Sequence, residues 1–228
     1  MASVKMFCVL PKRRDISDQE FHDHWRHPHG TLGTQISTVR RYVQSHRIAD
    51  ERVDFDESRR YEGIVEVWFD SAADARGMPD HPTYQRHLIP DEPNFIDMDG
   101  IEFVYTDEHV VRTAPDPREG TEEATLLWDE RRRPTTIKLI QVFRDSAPRP
   151  DSTGEAQLAR RVGALRHTIC TPNAAVHSVD RPSIAAVREL WWPTVTEFHR
   201  GITGDDDAWD LILNSPATTA LYQAERLL

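Results

Sequence analysis

Four histidines crowd the segment Phe21-His22-Asp23-His24-Trp25-Arg26-His27-Pro28-His29-Gly30. Imidazole is the side chain whose ordinary titration range brackets neutral pH, so such a cluster offers either proton transfer or metal binding. Helical metal ligands favour a spacing of three or four. Only His24 and His27 meet it, and no third ligand stands at a fixed distance. His22 and His29 do share a helical face, which keeps a haem-bearing protein open as an alternative, but the expectation is neither a metal nor a cofactor. What remains is proton movement: an imidazole in a partly dry pocket can take a proton from carbon and return it elsewhere. That step needs a donor, fixed on a rigid element, for the oxygen on which charge develops. Strand alternation puts Tyr42, Gln44 and His46 on one face of their strand and Glu66 and Trp68 on one face of theirs. The five are expected to line one cavity.

The elements that must hold these side chains are legible. Val4 to Leu10 is an apolar first strand. Ser17 and Glu20 form a capping box, with Ile16 and Phe21 as its staple, so a helix starts at Asp18. Phe21, Trp25 and Leu32 recur at helical spacing, and Pro28 ends the regular helix near Arg26 or His27. Arg41 to Ile48, Ile64 to Asp70 and Ile101 to Val111 read as strands, with a broken helical stretch from Ser71 to about Arg86. The order β-α-β-β-α-β is the ferredoxin-like unit, an antiparallel sheet with helices on one face and a second face that must be buried.

The pattern then recurs. Ile137-Lys138-Leu139-Ile140-Gln141-Val142-Phe143 repeats the first strand with its lysine in place, and Glu189-Leu190-Trp191-Trp192 repeats Glu66-Val67-Trp68-Phe69. Between these landmarks the second copy is shorter by about ten residues, where the first keeps its histidines. The expected organisation is therefore α+β: a first ferredoxin-like domain over 1–113, a linker over 114–134 rich in Pro, Gly and charge, and a degenerate second domain over 135–228. A helix is expected around Gln157 to His167. Aligning Ala224-Glu225 with Asp91-Glu92 ends the second copy near its last helix, without a fourth strand. The open sheet edge so left would need a covering chain, hence an expected homodimer.

Composition excludes several partners. The 228 residues carry 38 acidic against 28 basic side chains, a formal charge of −10, and the arginines are scattered, which speaks against nucleic acid and anionic membranes. The apolar N-terminal run is too short for a signal segment, and no run is long enough to span a bilayer. Cys8 and Cys170 sit in separate apolar segments, so no disulfide framework is indicated and the cytoplasm is the expected compartment. Glycine-rich phosphate loops and nucleophile-elbow serine motifs are absent.

The histidine segment, followed by Arg41-Tyr42-Val43-Gln44-Ser45-His46, Glu66-Val67-Trp68-Phe69-Asp70 and Asp91-Glu92-Pro93-Asn94-Phe95-Ile96-Asp97, resembles the EthD-domain family of the dimeric α/β-barrel superfamily. The resemblance covers residues 4 to 113; the second copy lacks the helix motif. It implies a small-molecule enzyme, and in related isomerases the positions of His29 and Tyr42 are an acid/base histidine and a tyrosine near the substrate. The expected function is cofactor-free isomerase or cyclase chemistry on a small apolar or aromatic lactone or phenolic, polyketide-like compound. His29 and Tyr42 are the expected catalytic pair, with Trp25, Gln44, His46, Glu66 and Trp68 as pocket walls. A monooxygenase or accessory protein of a degradative pathway, and a non-catalytic binding protein, are the alternatives. The same residues have plain structural uses: His29 at a helix C-terminus, the tryptophans as packing.

Overall fold

The computed structural model describes residues 3–54, 61–113, 134–145, 147–148, 153–179 and 181–228. The expected linker, apart from Pro134, and residues 55–60 of the charged loop after Asp50 lie outside the described residues. The strands are β1 Val4–Pro11, β2 Val39–Arg47, β3 Tyr61–Phe69, β4 Glu102–Thr113, β5 Thr135–Phe143, β6 Arg166–Pro172, β7 Ala186–Trp192 and β8 Ala217–Arg226. They close into one barrel in the order β1-β3-β2-β8-β5-β7-β6-β4, and every pairing is antiparallel. The first half supplies β4-β1-β3-β2 and the second β8-β5-β7-β6, the same permutation twice. The fold is thus two ferredoxin-like repeats, joined at β2–β8 and β4–β6.

Two expectations for the second repeat are corrected. Its fourth strand is present: Ala224 and Glu225 lie in β8, paired with β2 on one side and β5 on the other. Alanine, glutamine, glutamate and arginine favour helices, but ladders on both sides override that preference. No open edge remains among the described strands, so the reason for expecting a second copy to cover one disappears. The expected Gln157–His167 helix runs instead over Thr153–Arg161. Gly163, at φ 65°, ends it in a left-handed turn with Gly163 N–H donating to Arg160 O and Ala164 N–H to Ala159 O. That frees Arg166 and His167 for β6.

Each strand turns alternate side chains into the barrel and out beneath the helices. Inside, Phe7, Val9, Ile64, Val104, Ile140, Val142, Val187 and Tyr222 pack at one end, and Val43, Trp68 and Ala224 pack at the other. Between them lie the charges that the repeat landmarks carry. Lys5 Nζ is 2.9 Å from Glu66 and 2.6 Å from Glu189; Lys138 Nζ is 2.6 Å from Glu66 and 3.1 Å from Glu189. All four side chains are fully buried. The surroundings repeat too: Ser45 Oγ donates to Glu66 and Thr168 Oγ1 to Glu189, each at 2.7 Å, while Trp68 lies against Lys5 and Trp191 against Lys138. Burial alone would pull the Lys5 ammonium down, but Glu189 and Glu66 hold it well above the usual lysine range. Likewise Lys138 and Lys5 overcome burial and hold Glu189 well below the carboxylate range.

Removing one member leaves an uncompensated buried charge, which costs about 3–5 kcal/mol. Lys138→Met should lower the urea midpoint accordingly, and Lys138→Met/Glu66→Leu, which restores charge balance, should lose less than the sum of its two single changes.

Candidate functional site

The capping box forms as expected, with Glu20 N–H donating to Ser17 Oγ and Ser17 N–H to Glu20, and a helix runs over Asp18–His24. A widened turn over Trp25–Gly30 follows. His27 leaves the helical region (φ −143°, ψ 127°), as the residue before a proline is driven to do. The chain then winds again and carries His29 and Gly30 down onto the sheet, where both are buried. Gly30 is required by the closeness of approach: a Cβ there would sit 2.7 Å from Gln44 Nε2. Arg26 anchors the turn to the other repeat through two 2.9 Å hydrogen bonds to Glu225.

Between this turn, the outer face of the first repeat's sheet and the segment from Arg76 to Tyr105 lies a cavity of about 400 Å³. Its walls are mostly apolar: Met6, Leu10, Ile36, Val65, Val67, Met78, Leu88 and Phe103. A few polar side chains converge on it, namely His29, Tyr42, Arg76, Tyr84, Glu92 and Tyr105. Exposed Met98 and Phe103 stand at its rim. A broader cleft of about 850 Å³ near Arg52 and Arg144 holds none of the expected site residues.

His29 Nδ1 is 2.9 Å from Asp91 Oδ2, and Asp91 Oδ1 meets His24 Nε2 at 2.8 Å and the Asn94 amide at 3.1 Å. Burial would raise Asp91, but these three donors hold its carboxyl below the usual range. An ionised Asp91 makes Nδ1 of His29 the protonated nitrogen and leaves the lone pair on Nε2. Burial pulls His29 below 6.5 against the opposing pull of Asp91, so it is neutral at pH 7. Burial also pushes the phenols of Tyr42 and Tyr105 up to about 12, which keeps them as neutral donors. Glu92 is raised by burial and by Asp91, while it accepts the Tyr84 hydroxyl at 2.9 Å.

The structure brings His29 and Tyr42 to this one cavity and separates the rest. Trp25 is fully buried on the sheet against Gly63, where a Cβ would come within 2.4 Å of its ring. Gln44 and His46 lie beneath the helix beside it. Glu66 and Trp68 point the other way, into the barrel. The register decides this: Tyr42 pairs with Val67 and Val43 with Glu66, so the polar faces of β2 and β3 are opposite faces of one sheet. The single cavity expected for Tyr42, Gln44, His46, Glu66 and Trp68 is therefore corrected; among the described residues, Glu66 meets Lys5 and Lys138, which it shares with Glu189, at the centre of the barrel. Asp91, Glu92, Tyr84 and Tyr105 are additional lining or supporting groups. Asp91 and Glu92 had a signal in the family-like string, but an acid pair beside Pro93 and Asn94 reads equally as a turn. Tyr84 and Tyr105 had none.

The histidines do not converge. His22 meets His46 and Glu62, His24 and His29 meet Asp91, and His27 meets Thr31. Among the described residues, Glu108, Cys170 and Glu189 do come within 4.8 Å of one another. Glu189 is already neutralised by two lysines, and burial pushes the Cys170 thiol up, so this trio is a poor cation site.

The His29–Asp91 bond has a measurable sign. The His29 imidazole should titrate below 6.5 in NMR, and Asp91→Asn, which removes the attraction that raises it, should move the midpoint lower still.

Comparison with known proteins agrees with this architecture. The family model of the EthD domain matches residues 13–99. No curated protein matches the sequence. The fold is similar to that of an anthrone oxidase-like protein, at 7% identity and a TM-score of 0.55 over 99% of this chain and 93% of that one. It is also similar to a candidate monooxygenase of Fusobacterium nucleatum, at 5% identity and a TM-score of 0.52 over 100% and 93%. An ethyl tert-butyl ether D family protein of Bacillus halodurans aligns with 45% of this chain and 95% of its own, at 14% identity and a TM-score of 0.38. Among the described residues no helix is long and apolar enough to cross a membrane. The first repeat is thus similar to the EthD domain over residues 13–99, and the fold is of the dimeric α/β-barrel type, with two ferredoxin-like repeats in one polypeptide.

Proposed function

We propose that this protein is a cofactor-free enzyme that takes a proton from carbon in a small, largely apolar phenolic or polyketide-like ring compound. The observation that carries the reading is His29, which lines an apolar cavity of about 400 Å³ with its Nδ1 held by Asp91. Asp91 fixes the tautomer, and His29 Nε2 is the base. As the proton leaves, charge moves to the conjugated carbonyl oxygen, where a hydrogen bond from the neutral Tyr42 phenol stabilises it. Return of the proton to another carbon gives an isomer or closes a ring; Glu92, whose carboxyl burial raises above its usual range, stands on the same wall as a second proton-exchanging group.

An oxidoreductase reading shares the first step, since the same carbanion is the species that would react with dioxygen. The whole-chain likeness to an anthrone oxidase-like protein favours keeping it. Two free cysteines fit a reducing cytoplasm.

The test is deuterium entry into the methylene carbon of anthrone, an enolisable ring ketone, under nitrogen in heavy water. The protein should accelerate exchange about 10²-fold or more, a typical general-base contribution, and His29→Asn should abolish most of that gain with unchanged circular dichroism. Exchange undiminished in His29→Asn would refute the assignment. Oxygen uptake in air then decides between isomerase and oxidoreductase.

A further inference from the structure

We propose that Gln44 is a positioning residue that turns the hydroxyl hydrogen of Tyr42 into the cavity, so that the site selects ligands presenting an anionic enolate or phenolate oxygen. The inference rests on the reading of His29 and Tyr42 above and adds what sets the polarity of the phenol.

The Gln44 side chain has one orientation. Its Nε2 lies 2.8 Å from the Trp25 carbonyl oxygen and 2.9 Å from Tyr42 Oη, and an amide oxygen placed there would face the carbonyl as a second acceptor. Both amide hydrogens are thus spent, one of them on Tyr42. The amide oxygen faces His46 Nε2 at 3.2 Å, so that nitrogen carries the hydrogen. His46 is neutral, pulled down to about 2 by burial and then by Arg26 and His22, which leaves its Nδ1 as an acceptor for His22 Nδ1–H at 2.9 Å. His22 Nε2 ends the row 3.3 Å from Glu62, itself held by Arg47 at 2.9 Å.

The bonds from His22 to His46, from His46 to Gln44 and from Gln44 to Tyr42 therefore run one way, towards the phenol, while the second Gln44 hydrogen goes to the Trp25 carbonyl and His22 Nε2 faces Glu62. The phenol oxygen receives a hydrogen bond, and among the described residues its own hydrogen meets no protein acceptor. Tyr42 lines the cavity, with Gly33 against its ring, where a Cβ would come within 2.7 Å. The hydrogen is left for the ligand, and a phenol that also accepts a bond is the stronger donor.

The probe is 4-nitrophenol, whose ionisation is visible in its absorption spectrum. Bound to the wild-type protein it should ionise at lower pH than when free. Tyr42→Phe should raise the bound midpoint by about one pH unit, a tenfold change in the ionisation constant. Gln44→Met should raise it by a similar amount, and the double variant no further than Tyr42→Phe alone. Gln44→Glu, which cannot donate to Tyr42 as a carboxylate, gives a second reading where methionine is not tolerated. A purely structural Gln44 would change how much probe binds, not where it ionises. A bound midpoint untouched by Gln44→Met and Gln44→Glu, a shift fully additive with Tyr42→Phe, or no binding to the wild type overturns the inference; if anthrone exchange persists, the His29 reading survives it.

Discussion

The molecule is organised around four charges in the middle of its barrel. Two ammonium groups and two carboxylates are taken entirely out of water, which is tolerable only because each carboxylate bridges both lysines and accepts a further hydroxyl. Each repeat alone would carry one lysine and one glutamate facing water, and closure of the barrel supplies the second pair. Ionic contacts of this kind depend steeply on distance, so they fix the register in which the two sheets meet. We take that specificity, rather than net stabilisation, to be their role.

A second consequence concerns where chemistry can happen. Among the described residues the barrel holds charges at its centre and apolar side chains at both ends, which leaves a small apolar substrate little to gain there. The outer faces remain, and there the two repeats diverge. In the second, Trp192, Phe198, Ile202, Trp209 and Ile212 fill the space between sheet and helices; Trp192 Nε1 donates to Val162 O, and Gly201 is pressed so closely on that carbonyl that a Cβ would lie 2.2 Å from it. In the first, the widened turn at Trp25–Gly30 holds the chain in another course, and the cavity beside it stays open. Between sheet and helices the second repeat is packed and the first holds a cavity, and a few aromatic side chains make the difference.

The candidate site was partly legible because it is partly local. The capping box, the proline break and the alternation of Tyr42, Gln44 and His46 all follow from short-range rules, and the structure keeps each of them. What failed was the step from one strand to the next. Alternation says which residues of a strand share a face, but a one-residue change of register exchanges the faces; the pairing of Tyr42 with Val67 places Glu66 and Trp68 in the barrel, away from the phenol. Asp91 lay beyond reach for a related reason. Its role comes from His29, 62 positions away in the chain, and a carboxylate beside Pro93 carries no local mark of such a partner.

The sequence by itself determined the repeat, the fold class and the residues offered to each face, because hydrophobic period, capping and turn chemistry act over a few positions. Lys5 with Lys138 and Glu66 with Glu189 were visible as landmarks while their meaning was not. Only the tertiary structure decided that these four meet, that β8 completes the barrel, and that His29, Tyr42 and Asp91 share a site while Glu66 and Trp68 do not. Those facts depend on pairings between distant strands, where burial and ladder hydrogen bonds on both sides outweigh any preference a short segment has alone.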